Sequence, residues 1–250
     1  DLIDIEADKA HPFKKLRPLA AGRVSKILAL GVFVFLGIVG LIWAYKLSVY
    51  FFAAALGYWL MQILYSLILK NIEVVDVFII AMGFFLRVVA GALVIDAHLS
   101  IWFLLCVISV SVFLAVGKRR GEMAILHEQT AVTHRKVMGK YSPEILNAYV
   151  SIFATAAFIS WALFTFNFYE QAGPVIPRAL PGLARALTIN KWLMATIPVV
   201  IFGIMRYIRI IYDGSRAETP ERVILTDIPL LLSVATWGIM VISVLYLGPS

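Results

Sequence analysis

The sequence ILALGVFVFLGIVGLIWAY, residues 27–45, contains no charged side chain. About 20 mostly apolar residues are enough to cross the hydrocarbon core of a bilayer as a helix. Six further segments match it in length and hydropathy, and backbone groups in lipid must pair internally, so each of them is predicted to be a helix. The seven predicted spans are residues 27–45, 47–69, 77–95, 97–117, 145–169, 192–212 and 228–247.

The composition of the whole chain agrees with these spans. Of its 250 residues, 62% are hydrophobic and 15% are charged, and the mean hydropathy is +0.91. Soluble domains have about 45–50% apolar and about 25% charged residues. We therefore predict an all-α, polytopic membrane helix bundle that forms a single integral membrane domain over residues 1–250. The chain opens on Asp1 without a Met or a signal sequence, so we expect it to be incomplete at its N-terminus.

The basic residues predict the orientation of the bundle. Seventeen of the 22 Lys and Arg fall on one side of the predicted spans and four on the other, while Arg87 lies within a span. Lys and Arg are enriched in cytoplasmic loops, so residues 9–26, 118–144 and 213–226 are predicted to be cytoplasmic. This placement at a membrane surface argues against nucleic acid as a partner. We expect a bacterial inner-membrane protein.

Three carboxylates at the start of the chain are candidate metal ligands. Asp1, Asp4 and Asp8 are spaced i, i+3 and i+7, which places them on one stripe of a helix. Such a stripe is either a solvated helix end or a cation site, and Mg²⁺ is commonly held by carboxylates together with substrate phosphates. A basic loop follows, with Lys14, Lys15 and Arg17 as candidate phosphate ligands. Acidic side chains that can hold a metal ion, beside basic side chains that can bind phosphate oxygens, favour a diphosphate site.

Two further groups of charged residues are candidates for the same chemistry. Arg87 is an intramembrane charge, which indicates a functional residue unless it pairs with Asp76 or a carbonyl group. The segment GKRRGE at the end of the fourth span carries three cations and one acid that suit a phosphate group, and its Lys118 and Glu122 are spaced to pair. Its substrate-binding candidates are Lys118, Arg119, Arg120 and Glu122.

The opening motif resembles the first signature of the UbiA-type intramembrane prenyltransferases. The shared pattern is D-x-x-D-x-x-x-D followed by K-x-x-R-P-L-x-x-G. In that family an Asn precedes the first Asp and the bundle has nine helices, so the resemblance implies a UbiA-like fold with seven spans after the motif. Tyr65 and Lys70 are similar to a Tyr…Lys segment that lines the same cavity in the superfamily.

The second motif is similar to one branch of that superfamily. Lipid-forming members carry a second aspartate-rich motif where this chain has FLAVGKRRGE, preceded by LRVVAGA and followed by YSPEIL. These segments resemble the decaprenyl-phosphate phosphoribosyltransferases. The resemblance implies Mg²⁺-dependent transfer of 5-phosphoribose from 5-phosphoribosyl 1-diphosphate to decaprenyl or another polyprenyl phosphate, for arabinan and arabinogalactan precursors, with the active site facing the cytoplasm.

Other functions stay open from the sequence alone. A UbiA-type enzyme could instead move a prenyl group from a prenyl diphosphate to an aromatic or lipid acceptor, although the second acidic motif is missing. A transporter usually carries charges at the bilayer midplane, whereas the charges here cluster near one interface. The expected partners are therefore the two phosphate substrates and membrane lipid, and a homo-oligomer is left open.

Overall fold

The apolar segments form long helices in the computed structural model, which describes residues 2–10, 14–126, 141–168, 192–213 and 220–246. Seven helical segments in these ranges are long and apolar enough to cross a membrane. The described residues contain no strand, so the predicted all-α membrane fold is confirmed. The helices are α1 (Ile5–Ala10), α2 (Lys26–Leu47), α3 (Val49–Leu67), α4 (Val75–Ile95), α5 (Ile101–Leu126), α6 (Pro143–Asn167), α7 (Ile197–Asp213), α8 (Pro220–Thr226) and α9 (Ile228–Tyr246).

Short 3-10 turns connect several of these helices. They cover Lys14–Leu16, Leu69–Asn71 and Trp192–Thr196, and the last of them runs directly into α7. The predicted connection 118–144 begins inside a helix, because α5 continues through the basic segment to Leu126. The predicted connection 213–226 likewise contains α8. Charged residues at the end of an apolar helix did not stop it, since Lys, Arg and Glu are good helix formers.

The chain divides into two compact units. The first consists of Asp1–Leu99 and Leu126–Ser142, and the second of Ser100–Ile125 and Pro143–Ser250. Many large apolar side chains on the helices point outward, such as Phe35 and Leu36 of α2, which are 66% and 60% exposed. Soluble proteins rarely expose apolar surface on this scale. Outward-facing apolar helices of this length are typical of a chain whose solvent is lipid.

In the first unit, α3 packs against both α2 and α4, and serines cap the starts of α2 and α3. Ser25 begins α2, and its hydroxyl accepts a hydrogen bond from the Leu28 amide at 3.2 Å. Ser48 ends α2 and begins α3, because its amide donates to the Ala44 carbonyl and its hydroxyl accepts from the Tyr50 amide. Such caps satisfy backbone groups that a helix end leaves without an intrahelical partner.

In the second unit, aromatic side chains and one close helix contact hold α5, α6, α7 and α9. The Trp161 indole donates to the Thr196 hydroxyl at 3.0 Å, and its ring lies 5.4 Å from that of Trp237. At Gly117 of α5, a Cβ atom would lie 2.8 Å from the Ile211 side chain of α7. The missing side chain therefore lets α5 approach α7 closely, just before the basic segment begins.

Candidate active site

The acidic stripe of the first unit lies against two basic side chains. Asp4 directly precedes α1, and the Asp8 amide donates to the Asp4 carbonyl at 2.7 Å, so the two residues occupy successive turns. Lys70 donates to Asp4 Oδ1. Arg17 Nη1 donates to Asp8 Oδ2 at 3.0 Å. The structure therefore brings together four predicted site residues from three separate parts of the sequence.

Burial makes this cluster different from a surface ion pair. Asp8 and Lys70 are both buried, with 6% and 9% of their surface exposed. Asp4 and Arg17 are partly exposed and form the accessible side of the cluster. Lys70 reaches Asp4 from the 3-10 turn that follows α3, 66 residues along the chain. A buried charge needs a partner, and each member of the cluster supplies one.

The loop between α1 and α2 sets the position of Arg17. The Arg17 carbonyl accepts from the Ala21 amide at 2.8 Å, and the Arg23 amide donates to the Pro18 carbonyl at 2.9 Å. Gly22 has a φ of +72°, a conformation that glycine adopts without steric cost. This turn leads into the Ser25 cap, so the loop is tied to the start of α2.

The structure describes only some of the other residues predicted to bind the metal or the diphosphate. Asp1 lies outside the described residues, and so does the side chain of Lys14, whose backbone belongs to the first 3-10 turn. Lys15 is exposed. Tyr65 is half-buried in the last turn of α3. The complete predicted carboxylate triad therefore stays a prediction.

The two described carboxylates suit a hard divalent cation. Among the described residues, no group of three or more His, Cys, Asp and Glu side chains lies close enough together to hold a metal. Asp4 and Asp8 nevertheless offer oxygen ligands on successive turns, and a carboxylate can accept about four contacts. Each contacts its basic partner through one oxygen. Mg²⁺ commonly uses one or two carboxylates and completes its shell with water and substrate phosphates, so the residues fit.

An apolar cavity adjoins Asp4 in the first unit. Its volume is about 470 Å³, and its wall is largely apolar, with Leu30 and Phe33 of α2 and Ile63 and Leu67 of α3. Asp4 is one of the residues that line this cavity. A charged group beside an apolar cavity suits a ligand with a polar end and an apolar part.

Arg87 has partners other than those considered from the sequence. It donates to the Tyr58 hydroxyl, and its guanidinium lies 4.9 Å from the centre of the Tyr58 ring and 5.1 Å from that of Phe84. Asp76, the partner suggested from the sequence, accepts a hydrogen bond from the Tyr141 hydroxyl at 2.8 Å. Cation–π contacts stabilise a guanidinium in apolar surroundings. A role for Arg87 in binding substrate stays a prediction.

The basic segment of the second unit contains a buried ion pair. Arg119 Nη1 donates to Glu122 Oε2 at 2.8 Å, and their side chains are only 3% and 6% exposed. This pair joins residues i and i+3, and the pair of Lys118 with Glu122 stays a prediction. Lys118 is half-buried beside it. The single acid of this segment is thus paired with a guanidinium of the same helix.

Arg120 connects three helices of the second unit. Its Nε donates to Asn147 Oδ1 of α6 at 2.8 Å, and its guanidinium lies 5.4 Å from the centre of the Tyr212 ring of α7. The close contact at Gly117 holds α5 against α7 one turn earlier. The predicted phosphate-binding segment therefore has a defined position on a rigid part of the helix.

A second ion pair of this unit was missed by the sequence analysis. Arg206 of α7 binds Asp227 through two hydrogen bonds of 3.0 and 2.7 Å. The Asp227 carboxylate also accepts from the Leu230 amide at the start of α9. The Arg206 guanidinium lowers the pKa of Asp227 below its usual range, and the Leu230 amide acts in the same direction. An Asp directly before an apolar span is a helix-cap signal that could have identified it.

The fold and these clusters define a class of protein. The protein is a multi-pass membrane protein of α-helices whose buried ion pairs lie at helix ends. The UbiA prenyltransferase family model matches residues 1–226, and the chain belongs to that family. The predicted family and the predicted class of enzyme, a transferase, are both confirmed.

Three named relatives are similar over most of the chain. A decaprenyl-phosphate phosphoribosyltransferase from Mycolicibacterium smegmatis is 31% identical over 237 residues, which cover 95% of this chain and 71% of that protein. Its counterpart from Mycobacterium tuberculosis is also 31% identical, over 95% of this chain and 72% of its own length. The protein of this name from Corynebacterium glutamicum is 30% identical over all of this chain and 71% of its own length.

A solved structure supports the fold independently. The UbiA homologue from Archaeoglobus fulgidus, bound to GPP and Mg²⁺, superimposes with a TM-score of 0.65. The superposition covers 96% of this chain and 80% of that one, at 19% sequence identity. The likeness confirms the UbiA-like fold predicted from the opening motif.

Proposed function

We propose that this protein transfers 5-phosphoribose from 5-phosphoribosyl 1-diphosphate to decaprenyl phosphate or a similar polyprenyl phosphate, releasing diphosphate. The composition of the second motif carries this proposal most directly, because it has three cations and a single acid, Glu122, which is paired with Arg119. The other two cations of the motif, Lys118 and Arg120, leave it with a net positive charge that suits a phosphate group. The names of the three relatives support the same substrates.

The acidic cluster is proposed to bind the diphosphate of the donor. Asp4 and Asp8, with Asp1, would hold Mg²⁺, which when bound neutralises charge on the diphosphate and assists its departure. Lys70 and Arg17 already lie beside these carboxylates, so each can turn its cation to a phosphate oxygen with little displacement. Charges fixed in advance stabilise the leaving group as negative charge builds on it.

The bond changes require no general base from the protein. The bond between ribose C1 and the diphosphate oxygen breaks, and a phosphate oxygen of the acceptor forms the new bond to C1. The attacking oxygen is already an anion, so no proton has to be removed from it. We propose that Lys118, Arg119 and Arg120 bind either this acceptor phosphate or the 5-phosphate of the donor, because three cations suit a phosphate without metal.

The lipid acceptor accounts for the membrane location of the enzyme. A polyprenyl tail partitions into the bilayer, and the apolar helices of this chain are long enough to cross the same bilayer. The apolar cavity beside Asp4 gives a substrate with an apolar part a place next to a charged group. We propose that the protein lies in the bacterial inner membrane with its phosphate sites on the cytoplasmic side, where most of its Lys and Arg residues fall.

A labelling experiment tests the proposal. Membranes containing the protein are incubated with radiolabelled 5-phosphoribosyl 1-diphosphate and polyprenyl phosphate, with Mg²⁺ or with a chelator. We expect a labelled lipid that forms only when Mg²⁺ is present. Label that enters lipid only from a prenyl diphosphate would instead assign the protein to prenyl transfer and overturn the proposal.

A further inference from the structure

The turn that leads into α4 has a strained backbone at a β-branched residue. Val74 has φ 67° and ψ −43°, and the Val75 amide donates to the Glu73 carbonyl at 2.8 Å across it. This is a classic γ-turn, a conformation that is rare and costly for any residue except glycine. Strain of this kind persists only when the surrounding structure holds it in place.

Tyr141 supplies that support from a distant part of the sequence. Its hydroxyl accepts a hydrogen bond from the Val74 amide at 2.7 Å and donates one to Asp76 Oδ1 at 2.8 Å. Tyr141 and Asp76 are 5% and 1% exposed, so the network is shielded from water. One buried hydroxyl therefore ties the strained residue to the first turn of α4. Hydrogen bonds to buried charged groups are among the stronger ones in proteins.

The strained turn lies immediately beside the proposed diphosphate site. The 3-10 turn Leu69–Asn71 carries Lys70, and the Ile72 amide closes it by donating to the Leu69 carbonyl at 3.1 Å. The Asp76 amide in turn donates to the Ile72 carbonyl at 3.1 Å. Two successive backbone hydrogen bonds thus connect Leu69, the residue before Lys70, through Ile72 to Asp76, the residue that Tyr141 binds.

We propose that Tyr141 is a positioning residue for Lys70. Its hydroxyl holds the γ-turn at Val74, and the turn fixes the 3-10 segment from which Lys70 reaches Asp4. Without the hydroxyl, the turn relaxes and Lys70 loses its buried position. This inference rests on the proposed function only in assigning diphosphate as the ligand of Lys70; the path from Tyr141 to Lys70 is independent of it.

The test uses two readouts on the purified full chain. The first is the rate at which an amine-reactive reagent labels Lys70, followed by peptide mass spectrometry. The second is the affinity for inorganic diphosphate in the presence of Mg²⁺. We expect Tyr141→Phe to raise the labelling rate several-fold and to weaken diphosphate binding about tenfold. Tyr246→Phe, at an exposed tyrosine at the end of α9, serves as the control and should change neither readout.

A double-mutant cycle separates positioning from a general loss of structure. If Tyr141 acts through Lys70, then Tyr141→Phe should not weaken diphosphate binding further in a Lys70→Met background. Additive losses would overturn the proposal. Val74→Gly gives a rescue, because glycine adopts a positive φ without support. It should restore the low Lys70 labelling rate and the diphosphate affinity in the Tyr141→Phe protein, and a failure to restore either would also overturn the proposal.

The two proposals fail in different ways. If the wild-type chain does not bind diphosphate but Tyr141→Phe still exposes Lys70 to the reagent, the proposed function fails and the positioning role stands. If the wild-type chain binds diphosphate and Tyr141→Phe changes neither readout, the positioning role fails and the proposed function stands.

Discussion

Removing one partner of the buried pair Arg119–Glu122 is expected to have a large effect on stability. In Glu122→Gln the Arg119 guanidinium, 97% withdrawn from solvent at its side chain, loses its countercharge at 2.8 Å. Breaking a buried pair in this way costs about 3–5 kcal/mol. For a chain of this size about 1 kcal/mol corresponds to about 2–4 °C in Tm. We therefore expect the Tm of Glu122→Gln to fall by about 6–20 °C.

Removing both charges should undo most of that loss. The double variant Arg119→Met, Glu122→Leu removes both charges of the pair, and apolar replacements of a buried pair are often neutral or stabilising. Its Tm should therefore lie within about 4 °C of the wild-type value, the shift expected for about 1 kcal/mol. Its transferase activity should still be lost if Arg119 is needed for a phosphate group. Stability and function are thereby separated at a single pair.

The assay is thermal unfolding of the purified protein in detergent, followed by intrinsic fluorescence. The exposed pair of Lys9 and Glu6 is a matched control, since it has the same i, i+3 spacing and a distance of 3.3 Å. Glu6→Gln should give no measurable shift, because exposed pairs contribute little. If Glu122→Gln is as stable as Glu6→Gln, the reasoning about the buried pair is wrong.

Three further predictions concern other parts of the molecule. Asp4→Asn and Asp8→Asn should each reduce Mg²⁺-dependent transfer by about 10²-fold or more, the order expected for losing one preorganised electrostatic contact, and full activity in both would refute the metal assignment. Gly117→Ala should lower both the Tm and the activity, because the new Cβ would lie 2.8 Å from the Ile211 side chain. An unchanged Tm would show that the Ile211 side chain moves aside freely. Because the pKa of Asp227 is lowered in the folded protein, its carboxylate stabilises the fold at pH values above the unfolded pKa of about 3.9. This contribution is lost as the pH falls through the folded pKa. Asp227→Asn should therefore flatten the decline of Tm in acid.

The membrane fold could be predicted from the sequence because one physical constraint controls it. A helix in lipid needs an uninterrupted apolar segment, so each span appeared as a charge-free or nearly charge-free run such as residues 27–45. The helix ends were less certain, since α5 continues nine residues beyond the predicted end of its span at residue 117. Its polar last turns have the composition of a loop as well as that of a helix.

The candidate site could be predicted only in part, because partners distant in sequence leave little local signal. The spacing indicated Asp4 and Asp8, the basic loop indicated Arg17 and the resemblance indicated Lys70, and the structure brings the four together. The pair Arg206–Asp227 joins residues 21 positions apart, one on α7 and one directly before α9, and it was not predicted from the sequence. Tyr141 and its strained partner were missed for a similar reason. A positive φ is ordinarily indicated by glycine or asparagine, and here a valine adopts it.

The most direct measurement of the central claim is a reaction of purified components. The protein is reconstituted in liposomes with decaprenyl phosphate, given 5-phosphoribosyl 1-diphosphate and Mg²⁺, and the lipids are analysed by mass spectrometry. We predict a new lipid heavier than the acceptor by one phosphoribosyl group, absent for Asp4→Asn and absent after chelation of Mg²⁺. An unmodified acceptor in the wild-type reaction, together with prenyl transfer when a prenyl diphosphate is supplied, would contradict the account.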